Sequence, residues 1–307
     1  MSVTITNSSY AGEFAGKYLA ASLLAAKTID DGAITVLPNI KYKAAMKVGA
    51  FANLVKGAEC DFQPNASTLT LTEKILTPKE LQVNLDICKK TLHEDWEAAQ
   101  MGYSAFDNLP PLFSDFVIAR VAAEVASSTE TSIWDGASGA DNFDGFRALA
   151  LADGTVNDVT GTTVTSANVV TELGKIVDAI PSGVYGAEDL KLYVSQNIFK
   201  AYVRALGGFG ASGLGAAGTN NMGTQWWNNG SLSFDGVKLF VANGLPDNDA
   251  MAAQKSNLYF GTGLLSDHNE VKVIDMADLD GSQNVRIVMR YTAGVQYGLG
   301  SEIVYYT

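Results

Sequence analysis

Apolar residues recur at helical spacing through Pro110–Gly136, PPLFSDFVIARVAAEVASSTETSIWDG. Phe113, Phe116, Val117, Val121, Ala122, Val125 and Ala126 are apolar, while Asp115, Arg120, Glu124 and Ser127 gather on one narrow side. This pattern predicts a helix buried around most of its circumference. Pro111 suits a first helical position, where a missing N–H costs nothing, and Asp107 or Asn108 can cap from upstream. The helix would run on the order of 34 Å, at about 1.5 Å per residue. Trp134-Asp135-Gly136 ends it. No other segment is as long or as helical, so this one reads as a spine on which sheets are hung.

Upstream, Met1–Gly12 shows no periodicity and reads as a flexible arm, followed by a helix at Glu13–Lys27 that Asp30-Asp31-Gly32 ends. Ala33–Leu37 is strand-like. Lys41–Asn65 is more irregular and concentrates Lys41, Lys43, Lys47 and Lys56. Ser67–Leu76 alternates, Pro78 breaks it, and Leu81–Ile87 alternates again. Long strands about an irregular tip read as an extended two-stranded loop. Such a ribbon is marginal alone and needs a surface to lie on. Its basic tip on an acidic chain points either to another subunit or to plain solvation.

Downstream of a short amphipathic helix at Leu92–Met101 and the spine, Gly139–Leu151 is turn-rich with buried aromatics. Asp153–Val164 is a loop or short hairpin. A helix at Val169–Ile180, capped by Ser166 or Asn168, a strand at Leu190–Val194 and a helix at Asn197–Leu206 suggest a second subdomain starting near residue 160. Gly207–Gly230 is a glycine-rich loop. Ser231–Phe234, Val237–Val241, Leu258–Thr262, Glu270–Ile274, Asn284–Tyr291 and Ala293–Tyr306 then read as strands with no helical pattern among them.

The 307 residues make one large domain or two modest ones, and the net charge of −12 argues against a surface that grips nucleic-acid phosphates. Cys60 and Cys88, without CxxC spacing, read as reduced thiols. The N-terminus lacks the basic and apolar regions of a signal peptide, and no apolar run reaches membrane-spanning length.

Candidate chemistry is sparse. Gly208–Gly213 matches GxGxxG, but a helix precedes it and glycine follows, so the backbone N–H cradle of a dinucleotide site is not formed. His93 and Glu97 could face one metal from a helix, yet the sequence nominates no third ligand; the other histidine, His268, sits in a turn. Asp275, Asp278 and Asp280 with Gly281 do not meet a calcium-loop pattern. No catalytic residue, cofactor site or metal site is assigned, and an enzyme is not expected. Trp226-Trp227, two large aromatics in the glycine-rich loop, are either interface anchors or buried under their own subdomain.

The order of these parts resembles the major capsid proteins of tailed phages, the Hong Kong 97-like fold shared with encapsulin shells and the herpesvirus capsid floor. IWDG followed by FDGF (Ile133–Gly136, Phe143–Phe146) looks like the passage leaving the spine. LKLYVSQNIFKAYV (Leu190–Val203), SFDGV (Ser233–Val237) and ANGLP (Ala242–Pro246) are similar to runs of the axial domain. VRIVMRYTAGVQYGLGSEIVYY (Val285–Tyr306) looks like the terminal strands. The resemblance implies an α+β fold with an N-terminal arm (1–32), an extended two-stranded loop (33–77), a peripheral domain (78–160) whose spine is 110–134, an axial domain (161–270), and C-terminal strands returning to the peripheral domain (271–307). It implies a virion shell, assembled in the host cytoplasm, in which copies form pentamers and hexamers around double-stranded DNA. Expected partners are the chain itself, a separate scaffolding protein, a portal and a decoration protein, with no membrane. Lys41, Lys43, Lys47, Lys56, Trp226 and Trp227 are the expected inter-subunit contacts. Some relatives weld subunits through a lysine–asparagine bond, but no partner asparagine or catalytic carboxylate matches here. Rivals are an encapsulin-type shell around a cargo enzyme, a soluble dinucleotide-dependent enzyme, and a receptor-binding or decoration protein.

Overall fold

The computed structural model describes residues 27–40, 42–51, 55, 57, 60, 69–88, 111–139, 142–207, 232–263 and 272–307. The helix expected at Pro110–Gly136 is α2, Pro111–Asp135. Val121, Val125, Thr129 and Ile133 form its buried stripe, at steps of four residues. Its burial is narrower than the sequence suggests, because Glu124, Ser128 and Thr131 are exposed and Ala122, Ala123 and Ala126 only half-buried. Alanines raise the apolar count without offering much surface to cover. From Thr129 to Trp134 every residue except Thr131 is buried.

The stripe of α2 faces a five-stranded sheet. Its centre is β12, Asn284–Tyr297, which pairs antiparallel with β4, Lys79–Cys88, from Ala293 opposite Lys79 to Asn284 opposite Cys88. β11, Lys272–Asp275, also pairs with β12 over residues that β4 pairs, so it occupies the opposite edge. β10, Leu258–Gly261, pairs with the far end of β12, and β1, Thr35–Leu37, runs parallel to β10. Leu81, Val83, Leu85 and Ile87 alternate onto the face that carries Ile287, Met289 and Tyr291 and meet α2 there.

A six-stranded sheet runs in the order β5 (Asn157–Val159), β13 (Val304–Tyr306), β9 (Ala250–Gln254), β6 (Leu190–Val194), β8 (Val237–Val241) and β7 (Ser233–Phe234). Leu192, Val194, Val304 and Tyr306 pack on one side with α4, Val169–Asp178, and α5, Gln196–Gly207. Tyr193, Met251, Ala253 and Tyr305 join the other core, with Trp134 of α2 and Phe146 of α3, Phe146–Ala152. Alternation at period two thus makes this sheet the shared wall of two cores. A separate ribbon pairs β2, Ala44–Phe51, with β3, Leu69–Leu76, from Ala44 opposite Leu76 to Phe51 opposite Leu69.

Several elements depart from the sequence reading. β2 lies inside the stretch read as irregular; its AAMKVGAF is rich in alanine and glycine, which favour strands poorly, and pairing with β3 outweighs that. Ala33–Leu37 contributes β1 to the five-stranded sheet and does not pair in the ribbon. The turn-rich Gly139–Leu151 contains helix α3, and Asp153–Val164 is not a hairpin, because β5 pairs in parallel with the distant β13. β9, AMAAQ, gave no sequence signal. The two closing strands are one continuous β12, and β13 then enters the six-stranded sheet. A one-turn helix, Ala277–Asp280, interrupts the strands. The helix at Leu92–Met101 lies outside the described residues, as does that at Glu13–Lys27 except Lys27, which opens a last helical turn, α1, Lys27–Asp30.

The core that holds α2 reaches the six-stranded sheet at the C-terminal end of the helix. Trp134, fully buried, stacks at ring-centroid distances of 5.5 Å on Phe146 and 5.0 Å on Tyr193, and Tyr193 lies 5.7 Å from Phe240 of β8. The Trp134 indole N–H donates to Thr28 Oγ1 at 2.8 Å. That hydroxyl donates to Glu130 Oε1 at 2.5 Å, and the Thr28 amide donates to Glu130 Oε2 at 3.1 Å. The Tyr193 hydroxyl donates to the Ala33 carbonyl at 2.6 Å. Gly244 presses against the Glu130 carbonyl so closely that a Cβ there would lie 2.2 Å away. Burial pushes the Glu130 carboxyl above its ordinary range, partly offset by the Thr28 hydrogen bonds.

Two outcomes follow. Trp134→Ala is expected to lower unfolding free energy by about 3–5 kcal/mol, read by urea denaturation; a loss well under 1 kcal/mol would show that the junction is not a core. A raised folded-state pKa means that the stability Glu130 contributes is fully present below its unfolded value near 4.5 and declines as pH rises through the folded value. Glu130→Gln cannot ionise, so its melting temperature relative to the native chain should climb as pH is raised from 4 through that range. A constant difference would mean that the carboxylate is no more costly folded than unfolded.

Candidate assembly surfaces

The ribbon joins the body through a dense root. Lys74 Nζ of β3 lies 2.7 Å from Asp153 Oδ2, and the Tyr297 hydroxyl donates to the same oxygen at 2.8 Å. The Lys74 amine also sits 5.2 Å from the centre of the Tyr297 ring. Lys74, first among several donors, holds the Asp153 carboxyl well below the usual carboxylate range. Gln296 Nε2 donates to the Ile75 carbonyl at 3.3 Å, and Leu76 is fully buried against Gly261. Lys79, just past the root, donates to the carbonyls of Asn142 and Gly139. The ribbon segment exposes apolar surface: Tyr42 is 75% exposed, Val55 95% and Ile75 45%.

Of the expected contact residues, Lys43 and Lys47 are exposed. Lys47 stands opposite Glu73 in the ribbon, and the Lys43 amine lies 5.1 Å from the Tyr42 ring centre. β2 therefore carries Lys47 on a regular strand and not at an irregular tip. Lys41, Lys56, Trp226 and Trp227 lie outside the described residues, as do Gly208–Gly213, His93, Glu97 and His268. Asp275 and Asp280 accept from the Ala277 and Ser282 backbone amides, which is turn chemistry. Among the described residues no group of histidine, cysteine and carboxylate side chains could hold a metal, and neither Cys60 nor Cys88 forms a disulfide.

An open cleft of about 630 Å³ runs between α2 and the β4–β12 pair, lined by Glu80, Gln82, Glu124, Ser128, Arg290 and Tyr291 among others. It holds carboxylates, hydroxyls and a guanidinium, with no histidine or thiol in its lining. Burial raises the Tyr291 hydroxyl in this cleft, and several other perturbed groups lie elsewhere and tie distant segments together. Glu172 of α4, although nearly buried, takes the Tyr306 hydroxyl at 2.8 Å and both Lys175 contacts at 2.9 Å. Burial and that carboxylate push the Tyr306 hydroxyl up to about 12. Asp249 takes the Tyr305 hydroxyl at 2.5 Å and Arg147 Nε at 2.9 Å, while Arg147 Nη1 reaches Asp135 at 3.0 Å. These groups are engaged in holding strands and helices, and none pairs a nucleophile with a base beside a cleft. Sequence reasoning missed every one of these pins, and no local pattern marks them.

No protein-family model matches this chain, and no curated protein matches it in sequence. Solved structures do. The capsid of the native GTA particle superposes with a TM-score of 0.65 at 14% identity, covering 94% of this chain and 92% of that one. The capsid of Myoviridae phage XM1 gives 0.62 at 11% identity, with 95% of each chain covered. A chain from Mycobacterium phage Adephagia gives 0.60 at 13% identity, covering 98% and 94%. At such identities the likeness is one of fold, and it runs through nearly the whole chain. The protein has the α+β fold of tailed-phage capsid subunits.

Proposed function

We propose that this chain is the major capsid protein of a tailed phage, assembling as pentamers and hexamers into an icosahedral shell around double-stranded DNA. The observation that carries this reading is the fold shared with phage capsids across at least 94% of the chain. A structural role is supported by the capsid subunits that share the fold, and a ribbon built of only two strands is marginal unless it lies on something. A net charge of −12 suits the lining of a DNA-filled cavity, because like charges keep the genome from adhering. The five-stranded sheet with α2 corresponds to the peripheral domain, and the six-stranded sheet with α4 and α5 to the axial domain. In this division the final strand β13 belongs with the axial sheet.

The ribbon reaches a neighbouring subunit, with Lys43 and Lys47 exposed on it, and Lys41, Lys56, Trp226 and Trp227 are carried with them as inter-subunit contacts. A separate scaffolding protein, a portal and a decoration protein complete the partners, and assembly takes place in the host cytoplasm. A cargo-enclosing shell and a dinucleotide enzyme are less consistent with the phage capsids found as neighbours.

The chain expressed alone, examined by light scattering and negative-stain microscopy, is expected to form rings, tubes or closed shells. Co-expression with its scaffold should give closed shells; a small soluble oligomer under both conditions would overturn the proposal. Replacing residues 45–75 by a short glycine–serine linker should leave a folded subunit by circular dichroism that no longer closes shells. Normal shells from that variant would remove the ribbon from the assembly contacts.

A further inference from the structure

We propose that Lys74, Asp153 and Tyr297 form a latch that sets the direction in which the β2–β3 ribbon leaves the body. The inference concerns a single subunit and holds whatever the chain assembles into.

The geometry is that of a hinge. On one side, Asn39 and Ile40 donate their amides to the Gly263 and Thr262 carbonyls, fixing the chain before β2 to the end of β10. On the other, β4 is fixed from Lys79 onward by its ladder with β12. Between them β2 and β3 pair with each other as a sheet of their own. Two anchored connections to one rigid ribbon define an axis, and rotation about it is stopped by a contact off that axis. Thr77-Pro78 is a natural breakpoint, since proline supplies no N–H to continue a ladder from β3 into β4. Gly294 admits the close approach of this dipeptide: a Cβ there would lie 3.0 Å from Pro78 Cα.

Lys74 provides the off-axis stop. Two residues before the buried Leu76, it reaches out of the ribbon to Asp153, which follows α3, and lies over the Tyr297 ring at the end of β12. The three residues come from three separate segments, so the ribbon is referenced to the body and not to its own turn. The Lys74 side chain is 37% exposed and Asp153 16%. A pair of that exposure is open to solvent ions, and at molar salt the screening length falls to about 3 Å. The latch can therefore be released without unfolding what surrounds it. Asp153 stays ionised down to strongly acidic pH because Lys74 and its other donors depress its pKa, so salt and not mild acid is the effective trigger.

The seven steps between the paired ends of the ribbon span about 24 Å, so a swing of about 15° would move the distal end by about 6 Å. The test is a distance distribution from pulsed electron spin resonance on the full chain, with nitroxides on Cys60 and on Glu188→Cys in a Cys88→Ser background. Labelled chain is diluted into unlabelled chain so that only intramolecular pairs contribute. The latched protein at low salt should give one narrow distribution. Lys74→Met should broaden or shift it by several ångströms, and 1 M sodium chloride should do the same to the protein with Lys74 intact. Lys43→Met, which removes a ribbon lysine outside the latch, should leave it unchanged. The salt arm decides the matter if Lys74→Met fails to fold. A distribution unmoved by both the substitution and the salt, or moved equally by Lys43→Met, would overturn the latch.

Discussion

Glu130 is a carboxylate with no exposed surface, placed where the segment before β1, the spine helix and the loop after β8 converge. Burying such a charge costs several kcal/mol unless its oxygens are well hydrogen-bonded. Here Thr28 supplies both donors, from its amide and its hydroxyl, and the same hydroxyl accepts from Trp134. Trp134 in turn stacks on Phe146 of α3 and on Tyr193 of β6, so the contact is continuous with the core between α2 and the six-stranded sheet. One polar contact thus fixes the register of three elements that apolar packing alone would leave free to slide. Replacing it with apolar groups of similar volume could raise stability, as buried ion networks often allow, while loosening that register.

The same device recurs across the molecule. Tyr306 reaches Glu172 across 134 residues of sequence, Tyr305 reaches Asp249 across 56, and Lys74 reaches Asp153 across 79. In each case a long polar side chain ties an element of high sequence separation to a carboxylate near its end. Contacts of this kind are costly to assemble and informative once made, because each fits one arrangement of the elements. They also account for several of the perturbed ionisable groups, which in an enzyme would be the first place to look for chemistry. Glu172, Tyr306, Tyr305 and Asp153 are perturbed as members of such cross-braces.

What could be read from sequence followed local periodicity. Pro111 and the four-residue spacing of Val117, Val121 and Val125 announce α2, and the alternation of Leu81, Val83, Leu85 and Ile87 announces β4. The strand at Leu190–Val194 and the helices around it were equally plain. β2 and β9 were hidden because AAMKVGAF and AMAAQ are dominated by small residues, whose strand state is imposed by neighbours. β5 was hidden because its partner β13 lies at the other end of the chain. The pins were hidden for the same reason: nothing near Glu130 in sequence says that Thr28 will be its partner. Order of elements, in contrast, survives when motifs are loose, which is why a resemblance of parts could point to a fold that sequence comparison does not detect.

Copies of an acidic chain repel one another, so the proposed shell would need attraction that is local and directional. The ribbon meets that requirement. It projects Lys43 and Lys47 from a chain whose net charge is −12, and it exposes Tyr42 and Ile75, which the isolated subunit does not cover. Opposite charge at a reach of a few ångströms survives physiological screening, whereas the diffuse repulsion between bodies is damped beyond a screening length of about 8 Å. Apolar side chains at the contact then add area-dependent attraction that salt does not weaken. The balance favours contact by ribbon over contact by bare body surface, and a ribbon held at one angle turns that preference into a defined geometry between neighbours. On the proposed reading, the specificity of assembly would reside in where the ribbon points and in what lies beneath it.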